Sequence, residues 1–206
     1  MTPEGNTRRG RPRVEGLVER RREEILAVAT KVFAQRGLPG TDVQEIADLC
    51  DVGKGTVYRY FPSKDELFLA TVRRVMDQMA DSLRLLFHED HDPIERLRLL
   101  IDRFLTFFDD NPDYVEVLAL ERAEFRDRGR LTFFEYRDAL HAEWKSFHDD
   151  LEATGLLRHP EMKPEDNVVS ELMYGTILLS QFSGRLAPAE QRRELLIDTL
   201  MHGMLK

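Results

Sequence analysis

Cysteine occurs once in the 206 residues, as Cys50, so no intrachain disulfide is possible. No apolar run approaches the ~20 residues that a membrane-spanning helix needs. The polar, basic beginning of the chain has no signal-peptide core, and a cytoplasmic protein is expected. Glycine-rich phosphate loops, GxSxG elbows and HExxH spacings are all absent, and with them the parts of the commonest nucleotide, acyl-transfer and zinc chemistries. Gly53-Lys54-Gly55-Thr56 looks like the end of a P-loop, but the earlier glycine and the preceding strand are missing. His141 and His148 stand two turns apart with no companion cluster, which argues against a metal site. Neither an enzyme nor a cofactor is expected. Strand alternation and internal repeats are also lacking.

Helix signals are what the chain has. Asp92-Pro93-Ile94-Glu95 supplies a cap, a proline at the first helical position and an acid two residues on; Asn111-Pro112 repeats the pattern. Apolar residues at 3–4 spacing mark a first helix over about 17–35, with Gly37 as its stop, and a fourth over about 63–87. Further helices are expected over 93–108, 112–125, 131–154 and 164–182, and from 189 to the end. The expected fold is all-α with about nine helices, divided into a disordered basic arm (1–16), a small head (17–68) and a larger body (69–206).

The net charge of −8 hides an asymmetry. Residues 1–70 hold 12 Lys and Arg against 11 Asp and Glu, whereas the remainder holds 18 against 27. The first 22 residues hold seven Arg against three Glu. A polyanion needs a local positive surface rather than a basic protein, so the charge does not exclude DNA. Within the arm, Arg9-Gly10-Arg11-Pro12-Arg13 has the core of an AT-hook, in which arginines on a flexible segment enter a narrow A·T minor groove.

Residues 41–68 carry the densest information. Thr41 and Gln44 are spaced as a capping box, and Val43, Ile46, Ala47 and Cys50 form one apolar side. Asp51-Val52-Gly53 interrupts the pattern with residues that tolerate a left-handed turn. A second short helix, about Lys54 to Phe61, turns Val57 and Phe61 inward. Lys54, Thr56, Tyr58, Arg59 and Tyr60 are left to the outer surface. Pro62 stops it, and Ser63 with Glu66 makes another capping box. Two short helices joined by a tight turn, the second polar and aromatic outside, are the pattern of a helix-turn-helix.

The string Ile46-Ala47 followed by Val52-Gly53-Lys54-Gly55-Thr56-Val57-Tyr58-Arg59-Tyr60-Phe61-Pro62-Ser63-Lys64-Asp65-Glu66-Leu67 resembles the DNA-binding domain of the TetR/AcrR family of bacterial transcriptional regulators. Cys50-Asp51 and Gly53 depart from that family's usual Ala-Gly and Ser. The resemblance implies that Tyr58 reaches a phosphate and that Lys54, Gly55, Thr56 and Tyr60 face the major groove. Arg59 has the chemistry to pair with guanine O6 and N7. Thr41 and Lys64 resemble the family's flanking phosphate contacts, which set register without reading sequence.

The same resemblance implies a body that encloses a ligand cavity and pairs as a homodimer. Phe104, Phe108, Phe125, Trp144 and Met173 are the apolar candidates for the cavity, with Glu121, His141 and His148 as polar ones; His141, Trp144 and His148 share a face at i, i+3 and i+7. Val169, Leu172, Thr176, Ile177, Ser180, Leu196 and Leu200 are the dimer candidates, on apolar stripes wide for helices at a chain end. The function this implies is a sequence-specific DNA-binding regulator, a repressor released from a palindromic operator by a small apolar or amphipathic effector. A DNA-tethered interaction or architectural factor of the same fold, without an effector, is the alternative.

Overall fold

The computed structural model describes residues 12–89, 91–161, 168–182 and 189–206, with backbone alone at 12–15, 180–182 and 189. The chain divides into two compact units, Met1–Phe68 and Leu69–Lys206. Among the described residues all regular structure is helical, apart from one isolated bridge between Leu157 and Leu205.

The head is built from α1 (Pro12–Gly40), α2 (Val43–Leu49), α3 (Lys54–Tyr60) and the start of α4 (Lys64–His88). Residues 12–16, expected within a disordered arm, are helical. Proline suits the first turn of a helix, and the Arg20 side chain bonds back to the Gly16 carbonyl. Residues 1–11, with Arg9 and Arg11, lie outside the described residues, as does the side chain of Arg13. Gly37 breaks α1 at φ 70°, ψ 169°, a conformation open to glycine and strained for other residues.

Ile25, Ala29 and Phe33 of α1, Ile46 and Ala47 of α2, and Val57 of α3 close the head's core with Leu67 and Phe68. Phe33 and Phe68 meet edge to face at 5.1 Å. Asp51 takes the left-handed position of the α2–α3 turn at φ 52°.

In the body, α4 continues beside α5 (Pro93–Asp110), α6 (Pro112–Glu124), α7 (Thr132–Ala139), α8 (His141–Ala153), α9 (Val168–Phe182) and α10 (Ala189–Met204). A single 3-10 turn spans Arg126–Arg128. Helix α5 packs against α6, α8, α9 and α10 and is the centre of this unit. Asp92 caps it, accepting from the amides of Ile94 and Glu95. Asn111 instead turns its side-chain amide back to the Phe107 carbonyl, so it closes α5 rather than capping α6.

The single helix expected over 131–154 is two, α7 and α8, broken at Leu140. No proline or glycine marks the break. The two halves are held by different neighbours: Tyr136 of α7 donates to Asp77 of α4, and α8's Asp150 pairs with Arg96 of α5. Leu140, buried at the corner, takes φ −91°, ψ 10°.

Candidate nucleic-acid interface and body cavity

Burying Val57 and Phe61 fixes the rotation of α3. Tyr58 and Arg59 are exposed, with Tyr58 retaining 40% of its surface. Gly55 is exposed, and Lys54, Thr56 and Tyr60 are half-buried. The guanidinium of Arg59 lies 5.6 Å from the centre of the Tyr60 ring. Gly53 caps α3 without a side chain, its carbonyl taking the Thr56 amide at 2.7 Å. A methyl group added at Gly55 would meet nothing within 4 Å, so the protein's own packing gives no reason for glycine there.

The capping box expected of Thr41 and Gln44 does not form. Asp42 is the cap of α2, accepting the Gln44 amide at 2.9 Å, and Gln44's side chain goes to Asp48. Thr41 is 4% exposed, and its hydroxyl donates to the Gly37 carbonyl at 2.7 Å. That hydroxyl serves the α1–α2 corner. Ser63 does cap α4, its hydroxyl accepting the Glu66 amide. Lys64 reaches the carbonyls of Pro39 and Thr41, holding the same corner from the other side.

Asp42 also pairs with Lys54 at 2.9 Å. The Gln44 amide and this lysine hold the Asp42 carboxyl below the usual range, and the pair raises Lys54. Asp42 gives no sequence signal beyond Thr41's own; adjacent capping residues compete, and only packing selects between them. Beneath the turn, Cys50 is buried and its thiol is pushed up, mainly by burial and then by Glu24. Arg21 donates to its carbonyl at 3.3 Å.

The body holds a cavity of about 560 Å³. His141, Trp144 and His148 line it as expected of their shared face, together with Met173. A smaller chamber of about 50 Å³ shares Trp144 and Met173 and adds Phe104, Leu100 and Ile101. Phe108, Glu121 and Phe125, also expected there, line neither chamber. Phe108 is core, packed edge to face on Phe104 and Phe107.

Glu121, 1% exposed, is a structural acid. It accepts the amide and hydroxyl of Thr132 at the start of α7 and pairs with Arg128 at 2.9 Å. Its charge lies near Tyr174, whose phenol is pushed up to about 12, first by burial and then by Glu121.

Sequence reasoning passed over Arg137, Asp138, His159 and Ser170, which also line the larger cavity. Arg137 stands four residues before His141, across the corner between α7 and α8.

On the outside of the body, Leu172, Leu179 and Leu195 are exposed, the last two at 67%. Val169, expected in a dimer interface, lines both chambers instead. Ile177 is buried within its own chain, and Thr176 and Leu196 line a small pocket with Leu105 and Phe108 between α5, α9 and α10. Leu200 is half-buried, and the Ser180 side chain lies outside the described residues.

Residues 25–71 match the model of the bacterial regulatory proteins of the tetR family. The transcriptional activator FasR of Mycolicibacterium smegmatis is 36% identical over 109 residues, covering 52% of this chain and 48% of that protein. The transcriptional repressor KstR2 of Mycobacterium tuberculosis is 30% identical over 126 residues, covering 61% of this chain and 63% of its own. The chain thus spans about half to just under two thirds of these relatives. They are named for transcriptional regulation and not for catalysis.

The solved structure of the ketosteroid regulator KstR2 superposes with a TM-score of 0.67 at 24% identity, over 90% of this chain and 95% of that one. A regulator from Saccharomonospora viridis in complex with choline superposes at 0.75 and 21% identity, over 91% and 99%. At those identities the likeness is one of fold, and it extends through the body as well as the head. Residues 25–71 thus carry the sequence of the tetR family of bacterial regulatory proteins, on a chain whose all-helical fold is shared with solved regulators.

Proposed function

We propose that this protein is a homodimeric, sequence-specific DNA-binding regulator, a repressor released from a palindromic operator by a small amphipathic effector. The observation that carries the reading is the outer face of α3. Seven residues long, it buries Val57 and offers Lys54, Gly55, Thr56, Tyr58, Arg59 and Tyr60 outward. A helix this polar and aromatic outside, pinned by a tight turn, is the kind that enters a major groove. Lys54, Gly55, Thr56, Arg59 and Tyr60 are the groove-facing candidates, Tyr58 the phosphate contact, and Arg9, Arg11 and Arg13 a minor-groove arm.

The cavity supports an effector over the alternative of a purely architectural factor. Its volume of about 560 Å³ falls within the range of small-molecule sites. The exposed Leu172, Leu179 and Leu195 supply an apolar face for a second copy. An effector acts only through unequal affinity for two conformers. Moving the population from 1:99 to 99:1 takes about 5.5 kcal/mol of that difference.

Selection from random duplex DNA with the purified protein at a stated salt tests the reading. An enriched inverted repeat, with half-sites about 34–36 Å apart or a multiple of that, is expected. A salt-sensitive background without an enriched motif overturns it.

A further inference from the structure

The cavity's chemistry goes beyond its size, and the following rests on the reading of it as an effector site. Arg137 near the end of α7 and His141, Trp144 and His148 along one face of α8 all line the large chamber. Arg137 and Trp144 line the small chamber too, where the other walls include Leu100, Ile101, Phe104 and Phe133. Both chambers are therefore mostly apolar, the large one walled by Phe147, Leu151 and Leu157 among others, and Arg137 stands among these walls as the arginine common to both.

The arginine has hydrogen-bonding capacity to spare. Its Nε and Nη2 donate to Asp138 Oδ1 at 3.2 and 3.1 Å. A guanidinium carries five N–H donors, so three of Arg137's remain, and its Nη1 bonds to nothing among the described residues. Its side chain keeps only 19% of its surface, and it lies 5.0 Å from the centre of the Phe134 ring, which holds the plane in place.

Asp138 is not an open acceptor to match. Arg130 holds its other oxygen, and the two arginines together depress its carboxyl. Among the described residues Asp138 is the only acid that lines either chamber. A purely apolar occupant would strip water from the three arginine donors and return nothing, which is unfavourable. A carboxylate would take them in charge-assisted bonds.

We propose that the effector is an amphipathic carboxylic acid, its carboxylate on Arg137 and its apolar part lying in the large chamber against Trp144, Phe147 and Leu151. Trp144 is the chain's one tryptophan, so its fluorescence reports the site without a label. The test titrates the full-length protein with decanoic acid, decanol and decylamine, which share a tail and differ in the head group, all below micelle formation.

The acid is expected to give a saturable change at one molecule per chain. Decanol should bind about tenfold or more weakly, and decylamine weaker still. Arg137→Gln should weaken the acid about 10- to 100-fold and leave decanol within about threefold. Arg137→Lys, which keeps the charge, should fall between. Thermal melts without ligand identify any variant that fails to fold, in which case the head-group series on the unaltered protein decides. Decanol or decylamine binding as tightly as the acid, or a folded Arg137→Gln binding the acid normally, overturns the inference and leaves the cavity as an effector site. No response to any of the three removes the effector reading itself, and the inference with it.

Discussion

Gly55→Ala separates what the fold requires of α3 from what DNA requires. The residue is exposed, its backbone is not in the left-handed region, and a Cβ there meets no atom within 4 Å. Alanine is favoured over glycine by about 1 kcal/mol inside a helix. Gly55 is the second residue of α3, where part of that gain is expected, on the order of 0.5 kcal/mol. For a chain of this size that raises the melting temperature by about 1–2 °C.

Binding should move the other way. If the α3 backbone touches the groove at Gly55, the added methyl is forced into a packed contact, which costs about 1–3 kcal/mol. That is about a 5- to 150-fold loss of affinity per half-site. Thermal denaturation and fluorescence anisotropy on the selected operator, at one salt concentration, measure both. A variant that melts higher and binds normally refutes the close approach of α3 to DNA. One that melts lower refutes the local structure from which the argument starts.

Glu121→Ala leaves the first amide of α7 without its acceptor, while Arg128 keeps Thr132 and Glu135, and should destabilise the body by about 2 kcal/mol, a drop of about 4–8 °C on a thermal melt; a change under about 2 °C would mean that the buried carboxylate is not holding α7. Tyr58→Phe should weaken binding to every operator variant by a similar factor, since a phosphate contact carries no base information, and a loss confined to one base position in an anisotropy panel counts against that role. Leu179→Glu with Leu195→Glu alters two side chains that are each 67% exposed, so the helical circular dichroism should be unchanged while sedimentation shifts to the monomer; a double variant that stays dimeric places the interface elsewhere.

The head was legible because its signals are local. Val57 and Phe61 at i and i+4, Pro62 and the Ser63 cap define α3 within ten residues, and the structure keeps each of them. Thr41 was misread because two neighbouring residues could both cap α2. The choice fell to Asp42 once the Thr41 hydroxyl found the Gly37 carbonyl, a contact across a bend that periodicity does not see.

In the body, the α8 face of His141, Trp144 and His148 could be read from spacing. The break at Leu140 could not: no proline or glycine marks it, and the partners of its two halves, Asp77 and Arg96, lie on other helices. Glu121 looked like a ligand group for a similar reason: an acid on an apolar stripe gives no sign that Thr132 and Arg128 will satisfy it. An abundance of phenylalanine does not distinguish the wall of a cavity, such as Phe104, from solid core, such as Phe108. Arg137, four residues before His141, stands across that break, off the helix that carries the recognised face.

Cys50 gives the head a clock. Its side chain is buried beside the α2–α3 turn, and burial pushes its thiol up, so a thiol reagent reaches it only when the head opens. Where closing is faster than modification, the labelling rate in excess reagent is proportional to the population of opened heads. With no second cysteine to blur the signal, the unaltered protein reports how often its reading helix comes loose, and how far an operator or an effector slows or quickens that loosening.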